Sequence, residues 1–148
     1  ENGTRFSHGL LLAAGVEGDE LNLSRRLGGD RPTVLAVVSA LMGSLRVLDL
    51  SHNTLGPEGG VAVAKALKGN STLESLNLGG NYIRAKGATA LAAVLNETNI
   101  TNLKLSWNGL GLEEGAALAE ALKGNTTLQS LDLGGNNIRN KGVTALAA

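Results

Sequence analysis

Hydrophobic residues recur along this chain in four stretches that share one spacing, Leu-x-x-Leu-x-Leu-x-x-Asn-x-Leu, with Ile accepted in place of Leu. The stretches are residues 45–55, 73–83, 100–110 and 128–138. The second leucine of the pattern is at Leu48, Leu76, Leu103 and Leu131, so the repeat is 27 or 28 residues long. Two leucines separated by one residue point to the same side of a strand. Each stretch therefore predicts a short strand with one buried face.

The remainder of each repeat has a helical period. Apolar residues lie four, five and eight positions after a starting residue, which places them on one helix face. The starting residues are Gly59, Gly87, Glu114 and Gly142. Lys-Gly-Asn at 68–70 and 123–125 puts a glycine just past two of the helix ends, where it is a common terminator. One strand and one helix per repeat predict an α/β solenoid with a parallel sheet.

An asparagine follows each of these four predicted strands, whereas Arg26 stands at this position in the divergent stretch 20–29. The four residues are Asn53, Asn81, Asn108 and Asn136. A buried asparagine in a turn can bond to backbone groups that have no partner in the sheet. Stacked repeats therefore predict a structural ladder of asparagines.

These motifs resemble the leucine-rich repeat family, and within it the long-repeat class typified by ribonuclease inhibitor. The resemblance covers residues 45–148 and extends weakly back to about residue 20. It implies a curved right-handed solenoid with the parallel sheet on the concave side and the helices on the convex side. We expect 1–44 to hold an N-terminal cap helix, at 5–14, and a divergent first repeat. We expect 45–148 to hold four repeats, the last of them truncated within its helix.

Composition and charge narrow the function. Lys and Arg together number 13, as do Asp and Glu, so the formal net charge is zero and no basic excess points to nucleic acid or an anionic membrane. Cysteine is absent, which excludes a disulfide framework and thiolate metal sites. The apolar runs, such as 10–14, are too short for membrane insertion. No nucleophile, metal or phosphate-binding motif is recognisable, so we expect no catalytic residue, no metal and no cofactor.

The resemblance implies that the concave face binds a protein partner. Outward positions there are small and polar, with Trp107 and His52 as exceptions, and an exposed Trp is a typical interface anchor. The alternative is that Trp107 folds over neighbouring glycines as local packing. Asp49, Lys104 and Asp132 form a charged row on the same face, which is either a binding patch or a solvated surface.

A second set of charges lies in a segment that recurs after 55 residues. Residues 79–93 and 134–148 are similar in sequence, and each contains Ile-Arg-x-Lys-Gly. Acidic and basic residues alternate from repeat to repeat at these positions. The residues are Glu58, Arg84, Lys86, Glu113, Glu114, Arg139 and Lys141. We interpret them as an inter-repeat charge seam, worth about 0–1 kcal/mol per exposed pair. The alternative is a basic doublet that binds an acidic partner.

The function predicted is therefore a non-catalytic protein-interaction scaffold. One alternative is the ligand-sensing or autoinhibitory segment of a larger NOD-like receptor-type protein. Others are a Ran-GAP-like GTPase activator and a component of a large assembly. We expect a cytoplasmic protein: six Asn-x-Ser/Thr sequons occur, but several coincide with the helix-to-strand turns, where Asn and Thr are ordinary residues.

Overall fold

The computed structural model describes residues 20–25 and 45–138. Within these ranges the chain alternates between short strands and helices. The strands are β1 (Glu20–Asn22), β2 (Val47–Asp49), β3 (Ser75–Asn77), β4 (Asn102–Lys104) and β5 (Ser130–Asp132). The helices are α1 (Gly56–Leu67), α2 (Arg84–Val94) and α3 (Leu112–Leu122), and a 3-10 turn, Leu95–Glu97, follows α2.

The five strands form one parallel sheet in chain order. The central leucines are in register across the sheet: Leu21, Leu48, Leu76, Leu103 and Leu131. Equivalent positions of successive repeats therefore form rows, with neighbouring strands about 4.8 Å apart. The parallel sheet predicted from the leucine spacing is confirmed.

The core lies between the sheet and the helices. Strand leucines such as Leu48, Leu76 and Leu103 are at most 1% exposed. Helix residues of the predicted apolar face are buried against them, including Val63, Leu67, Leu91 and Leu118. The three repeats whose helices are described thus bury their leucines against these helices and the adjacent repeats, which is the packing of a curved α/β solenoid.

Two glycines allow the first helices to approach closely. A Cβ added to Gly60 in α1 would lie 2.9 Å from the Cα of Gly87 in α2. Ile83 packs against both glycines, since its side chain would also obstruct a Cβ at either position. The small residues at the helix starts therefore set the spacing of neighbouring repeats.

The helices begin two or three residues before the starting residues used for the periodicity. Pro57 occupies the first turn of α1, where its missing N–H has no intrahelical partner to lose. The first turn carries no continuous apolar stripe, so the hydrophobic period does not detect it. The helix starts are thus better located by the turn residues than by the apolar pattern.

The predicted division of the chain remains a prediction. β1 lies where the divergent first repeat is expected to have its strand. The predicted cap helix at 5–14, most of the predicted helix at 32–45 and the final helix from Gly142 lie outside the described residues. Among the helices that are described, none has the length and apolar character needed to cross a membrane.

Candidate functional site

The four ladder asparagines have structural partners along the turns. Asn81 Oδ1 accepts from the backbone N–H of Asn53 at 2.8 Å and of Leu55 at 3.3 Å, both in the preceding repeat. Its Nδ2 donates to the carbonyls of Leu50 and Leu78 at 3.0 and 2.9 Å. Asn81 is fully buried. One amide thus joins two repeats at a level where the strands have ended.

The same arrangement recurs in the two repeats that follow Asn81. Asn108 Oδ1 accepts from the N–H groups of Asn81 and Ile83, at 3.0 and 3.1 Å. Asn136 Oδ1 accepts from those of Asn108 and Leu110, at 2.9 and 3.0 Å. These side chains hold the turns in register and are not available to a partner.

The three residues proposed as a charged row differ in their contacts. Asp49, Asn77, Lys104 and Asp132 occupy equivalent positions in β2 to β5. Asp49 Oδ1 accepts from the N–H of Ser51 at 2.9 Å and from its hydroxyl at 2.7 Å. Asp132 Oδ1 accepts from the N–H of Gly134 at 2.9 Å. Both carboxylates therefore terminate their strands as local turn acceptors.

Lys104 is the exception in this row. Asn22 and Asn77 accept from Ser24 and Gly79 two residues ahead, each at 2.9 Å, and a lysine cannot accept in this way. Lys104 is exposed, and the ion pairs found among the described residues do not include it. Its ammonium is therefore available for an external acceptor.

His52 and Trp107 lie over glycines of the following repeat. A Cβ added to Gly80 would overlap the His52 imidazole, and one added to Gly135 would overlap the Trp107 indole. Trp107 is nevertheless 68% exposed. The local packing and the exposed aromatic surface, which the sequence presents as alternatives, occur together: one ring face rests on glycine and much of the rest faces solvent.

His52, Trp107 and two further exposed residues have a left-handed backbone. The φ angles are 57° at His52, 56° at Tyr82, 58° at Arg84 and 54° at Trp107. This region is unfavourable for residues with a Cβ, at about 1 kcal/mol or more each. Tyr82, 56% exposed, is a candidate that the sequence reasoning missed. The signal was present, because a tyrosine stands where the next repeat has Gly109, which has a φ of 69°.

The proposed charge seam has one link among the described residues. Lys86 pairs with Glu58 across α2 and α1. Arg84 forms no ion pair with Glu113 or Glu114 in the described part of the chain; its side chain crosses Gly109, where an added Cβ would lie 3.7 Å from its Cγ. Glu114 Oε1 instead accepts from the N–H of Gly111 at 2.7 Å, while Glu113 is exposed at the start of α3. Arg139 and Lys141 lie outside the described residues.

The structure contains a further ion-pair arrangement that the sequence analysis did not predict. Arg46 contacts Glu20 at 3.4 Å and Glu74 at 3.6 Å, at the amino ends of the strands. Arg46 and Glu74 each follow the first leucine of their repeats, so opposite charges at one repeat position were the available signal.

The opposite side of the molecule has an open groove of about 220 Å³ between α1 and α2. Small apolar side chains line it, with Lys65 and Lys68 at its rim. No group of His, Asp or Glu side chains within the described ranges could hold a metal ion.

Comparisons with known proteins agree with the fold. The Leucine Rich repeat family model matches residues 44–64, 69–92 and 124–147. Leucine-rich repeat-containing protein 45 of Gallus gallus is 41% identical over 96 residues, which are 63% of this chain and 14% of that protein. RAN GTPase-activating protein 2 of Arabidopsis thaliana is 38% identical over 100 residues, which are 66% of this chain and 18% of that protein. The chain thus spans under a fifth of either relative.

A solved structure titled Leiomodin-1 Actin-Binding Site 2 superposes with a TM-score of 0.75 over 96% of this chain and 86% of that one. The two are 23% identical, so the likeness concerns the fold alone. The stacked strands, the buried asparagines and the sequence matches all follow one repeat, and the chain belongs to the leucine-rich repeat family.

Proposed function

We propose that this domain is a non-catalytic protein-interaction module that binds a protein partner through the concave face of its repeat array. The observation that carries the proposal is Trp107, whose indole is 68% exposed while one part of it rests on Gly135. A ring held in this way loses little conformational freedom when a partner covers it. Trp is also strongly enriched among residues that dominate interface energies.

Lys104 supports the same face. It lies in β4, three residues before Trp107, and takes a position where the neighbouring strands have a turn acceptor. The fold does not need an ammonium there. A carboxylate of the partner beside this exposed ammonium would add a charge-assisted hydrogen bond.

A matched set of variants tests this proposal. In the concave variant, Asp49→Asn, Lys104→Asn and Asp132→Asn change every charge of the row, and each asparagine keeps or creates the turn acceptor that Asn22 and Asn77 already provide. The convex control, Lys65→Gln with Lys68→Gln, changes charges at the groove between α1 and α2. Wild-type and variant chains would be used as baits, and each enriched protein would be purified and its affinity measured.

We expect a purified partner to lose about tenfold or more in affinity for the concave variant or for Trp107→Gly, and to bind the convex control as it binds wild type. A partner that responds only to the convex control would overturn the assignment of the face. Failure to purify any partner with measurable affinity would overturn the function.

A second candidate is a GTPase-activating role, favoured by the 38% identity to the Arabidopsis thaliana protein over 66% of this chain. This relative is a RAN GTPase-activating protein by name. Single-turnover GTP hydrolysis by Ran, measured with and without this chain, tests the candidate. Unchanged hydrolysis at saturating chain would eliminate it and leave the interaction module.

The cytoplasmic location is part of the proposal and is supported by the sequon asparagines. Asn125 Nδ2 donates to Asn96 Oδ1 at 2.7 Å, and Asn96 Nδ2 donates to the Ala121 carbonyl at 2.7 Å. A glycan on either nitrogen would have to displace these contacts between neighbouring turns. Imaging of the tagged full-length protein tests the location, and a signal in the secretory pathway would contradict it.

A further inference from the structure

The turns that connect strands to helices form one continuous edge of the array. We call residues 51–56, 79–84, 106–111 and 134–138 the turn edge. Four large residues there have a left-handed backbone: His52, Tyr82, Arg84 and Trp107. All four are exposed, with Trp107 at 68% and Tyr82 at 56%.

The fold itself does not need these side chains. Gly80 and Gly135 occupy the position of His52 and Trp107 in the alternate repeats, with φ angles of 67° and 70°. In other repeats Gly109 replaces Tyr82 and Gly56 replaces Arg84, with φ angles of 69° and 71°. Glycine avoids the strain that a Cβ creates in this region. Strained residues at positions where glycine is demonstrably sufficient point to a role outside folding.

Three of the four side chains lie beside glycines of the following repeat. The His52 imidazole lies over Gly80, and the Trp107 indole lies over Gly135. The Arg84 side chain crosses Gly109. Groups that are already positioned lose less entropy on binding, and Trp, Tyr and Arg are the residues most enriched at interface hot spots.

The turns are also connected, so the four residues belong to one surface. The Arg84 N–H donates to the Asn108 carbonyl at 2.9 Å, and the Ile83 N–H donates to Asn108 Oδ1 at 3.1 Å. These bonds join the turn that carries Tyr82 and Arg84 to the turn that carries Trp107. The His52 N–H in turn donates to the Gly79 carbonyl at 2.8 Å.

The charges on and beside the turn edge indicate which kind of partner it would bind. The turn edge contains no Asp or Glu. Arg84 lies on it, and Arg25, which has the same left-handed backbone, lies just before it in the preceding turn. Three acidic residues lie at the starts of the helices. Glu58 pairs with Lys86, and Glu114 accepts a hydrogen bond from the Gly111 N–H. Within the described residues, Glu113 is therefore the acid at a helix start whose charge is not engaged in such a contact. A partner with negative charge and an apolar side chain is complementary to this edge.

We propose that the turn edge binds an extended acidic segment of a protein partner, with an apolar side chain of that segment on Trp107 and Tyr82 and its carboxylates beside Arg84 and His52. This inference rests on the proposed function, that the domain is a protein-interaction module. It assigns the main contact to the turns beside the sheet and identifies the chemistry of the partner.

A turn-glycine variant separates this role from folding. It combines His52→Gly, Tyr82→Gly, Arg84→Gly and Trp107→Gly, each of which introduces the residue that another repeat already has at that position. The variant should keep the circular dichroism spectrum and a cooperative unfolding transition. A variant that failed to fold would be replaced by Tyr82→Gly with Arg84→Gly alone. The convex control described above, Lys65→Gln with Lys68→Gln, serves as the matched control.

The probe is a short synthetic peptide of alternating glutamate and serine around one central phenylalanine, and its counterpart has lysine in place of every glutamate. Each is titrated into the full chain labelled with 15N. We expect the acidic peptide to shift amide signals of the turn edge, and its affinity to fall about tenfold in the turn-glycine variant and with added salt. The lysine peptide should leave the signals unchanged.

Three results would overturn the inference: equal binding of both peptides, no binding of the acidic one, or unchanged affinity in the turn-glycine variant. The natural partner distinguishes this failure from failure of the proposed function. A partner that binds the turn-glycine variant as well as wild type, yet loses affinity for the concave variant, would refute the turn edge and retain the interaction module. A partner lost with the turn-glycine variant and kept by the concave variant would support the edge over the sheet face.

Discussion

The residue before each ladder asparagine illustrates how single positions in this array serve two purposes. Alternate repeats have glycine there, at Gly80 and Gly135, and the others have His52 and Trp107. All four have a left-handed backbone. The glycines provide the flat surface on which the preceding ring lies. The two alternating repeat types therefore contribute, in turn, an aromatic ring and the glycine that this ring covers.

The ladder gives the largest expected effect of a single polar substitution. Asn81→Ala removes an amide that bonds to five backbone groups in a fully buried site. Unsatisfied buried groups cost about 1–3 kcal/mol, so we expect the free energy of unfolding to fall by about 3 kcal/mol. Urea denaturation measures it. The control is Asn137→Ala, at an exposed position two turns further along the array, which should change the free energy of unfolding by under about 0.5 kcal/mol. Equal losses of stability in the two variants would contradict a structural role for the ladder asparagines.

Lys104 allows a prediction of the opposite sign. Lys104→Asn places a turn acceptor at the end of β4, as Asn22 and Asn77 do at the ends of β1 and β3. We expect stabilisation by about 0.5–1 kcal/mol, which is the net contribution of one added hydrogen bond. Thermal unfolding monitored by circular dichroism is the measurement. Lys104→Gln, whose longer side chain does not fit the two-residue turn, is the control; equal gains in both would indicate that relief of charge, and not the turn acceptor, is responsible.

Between elements, the glycines at the helix starts matter more than helix propensity. Ala is favoured over Gly inside a helix by about 1 kcal/mol. At Gly60 an added Cβ would lie 2.9 Å from the Gly87 backbone and closer still to Ile83, so neighbouring repeats would have to separate. Overpacking of this kind typically costs about 1–3 kcal/mol.

We therefore expect Gly60→Ala to lower the free energy of unfolding in spite of its better propensity. Thr89→Ala, at an exposed position of α2, should be neutral or slightly stabilising. Chemical denaturation of both variants provides the comparison. A more stable Gly60→Ala chain would show that α1 and α2 can separate without loss of packing.

Across the whole molecule, each repeat is stabilised mainly by its neighbours, because a solenoid has few contacts between distant repeats. Leucines of β3 and β4, such as Leu76 and Leu103, are fully buried, whereas Leu131 and Leu133 in and after β5 are half-buried. Local opening follows burial and contact density.

We expect hydrogen exchange to be slowest in β3 and β4 and faster in β5. Exchange followed by mass spectrometry of overlapping peptides would resolve these strands. The Asn81→Ala variant should accelerate exchange in the middle repeats first. Uniform protection in every strand would instead indicate one cooperative unit, in which coupling between repeats exceeds the stability differences within them.

The residue pattern was enough to predict the repeat, the strand positions, the apolar helix faces and the asparagine rows. The physical reason is that each of these features has a short period and depends on adjacent repeats in a fixed register. Leu48, Leu76 and Leu103 pair as their spacing predicts, and Asn53, Asn81 and Asn108 are buried at equivalent positions.

The residue pattern did not indicate which side chains remain available to a partner. Asp49 and Lys104 look alike as members of a charged row, yet Asp49 closes its own turn and Lys104 does not. Arg84 resembles a member of a charge seam in sequence, yet it crosses Gly109 and forms no ion pair with the described acids. These outcomes depend on the distance and angle between stacked turns, which the pattern of residue types does not specify.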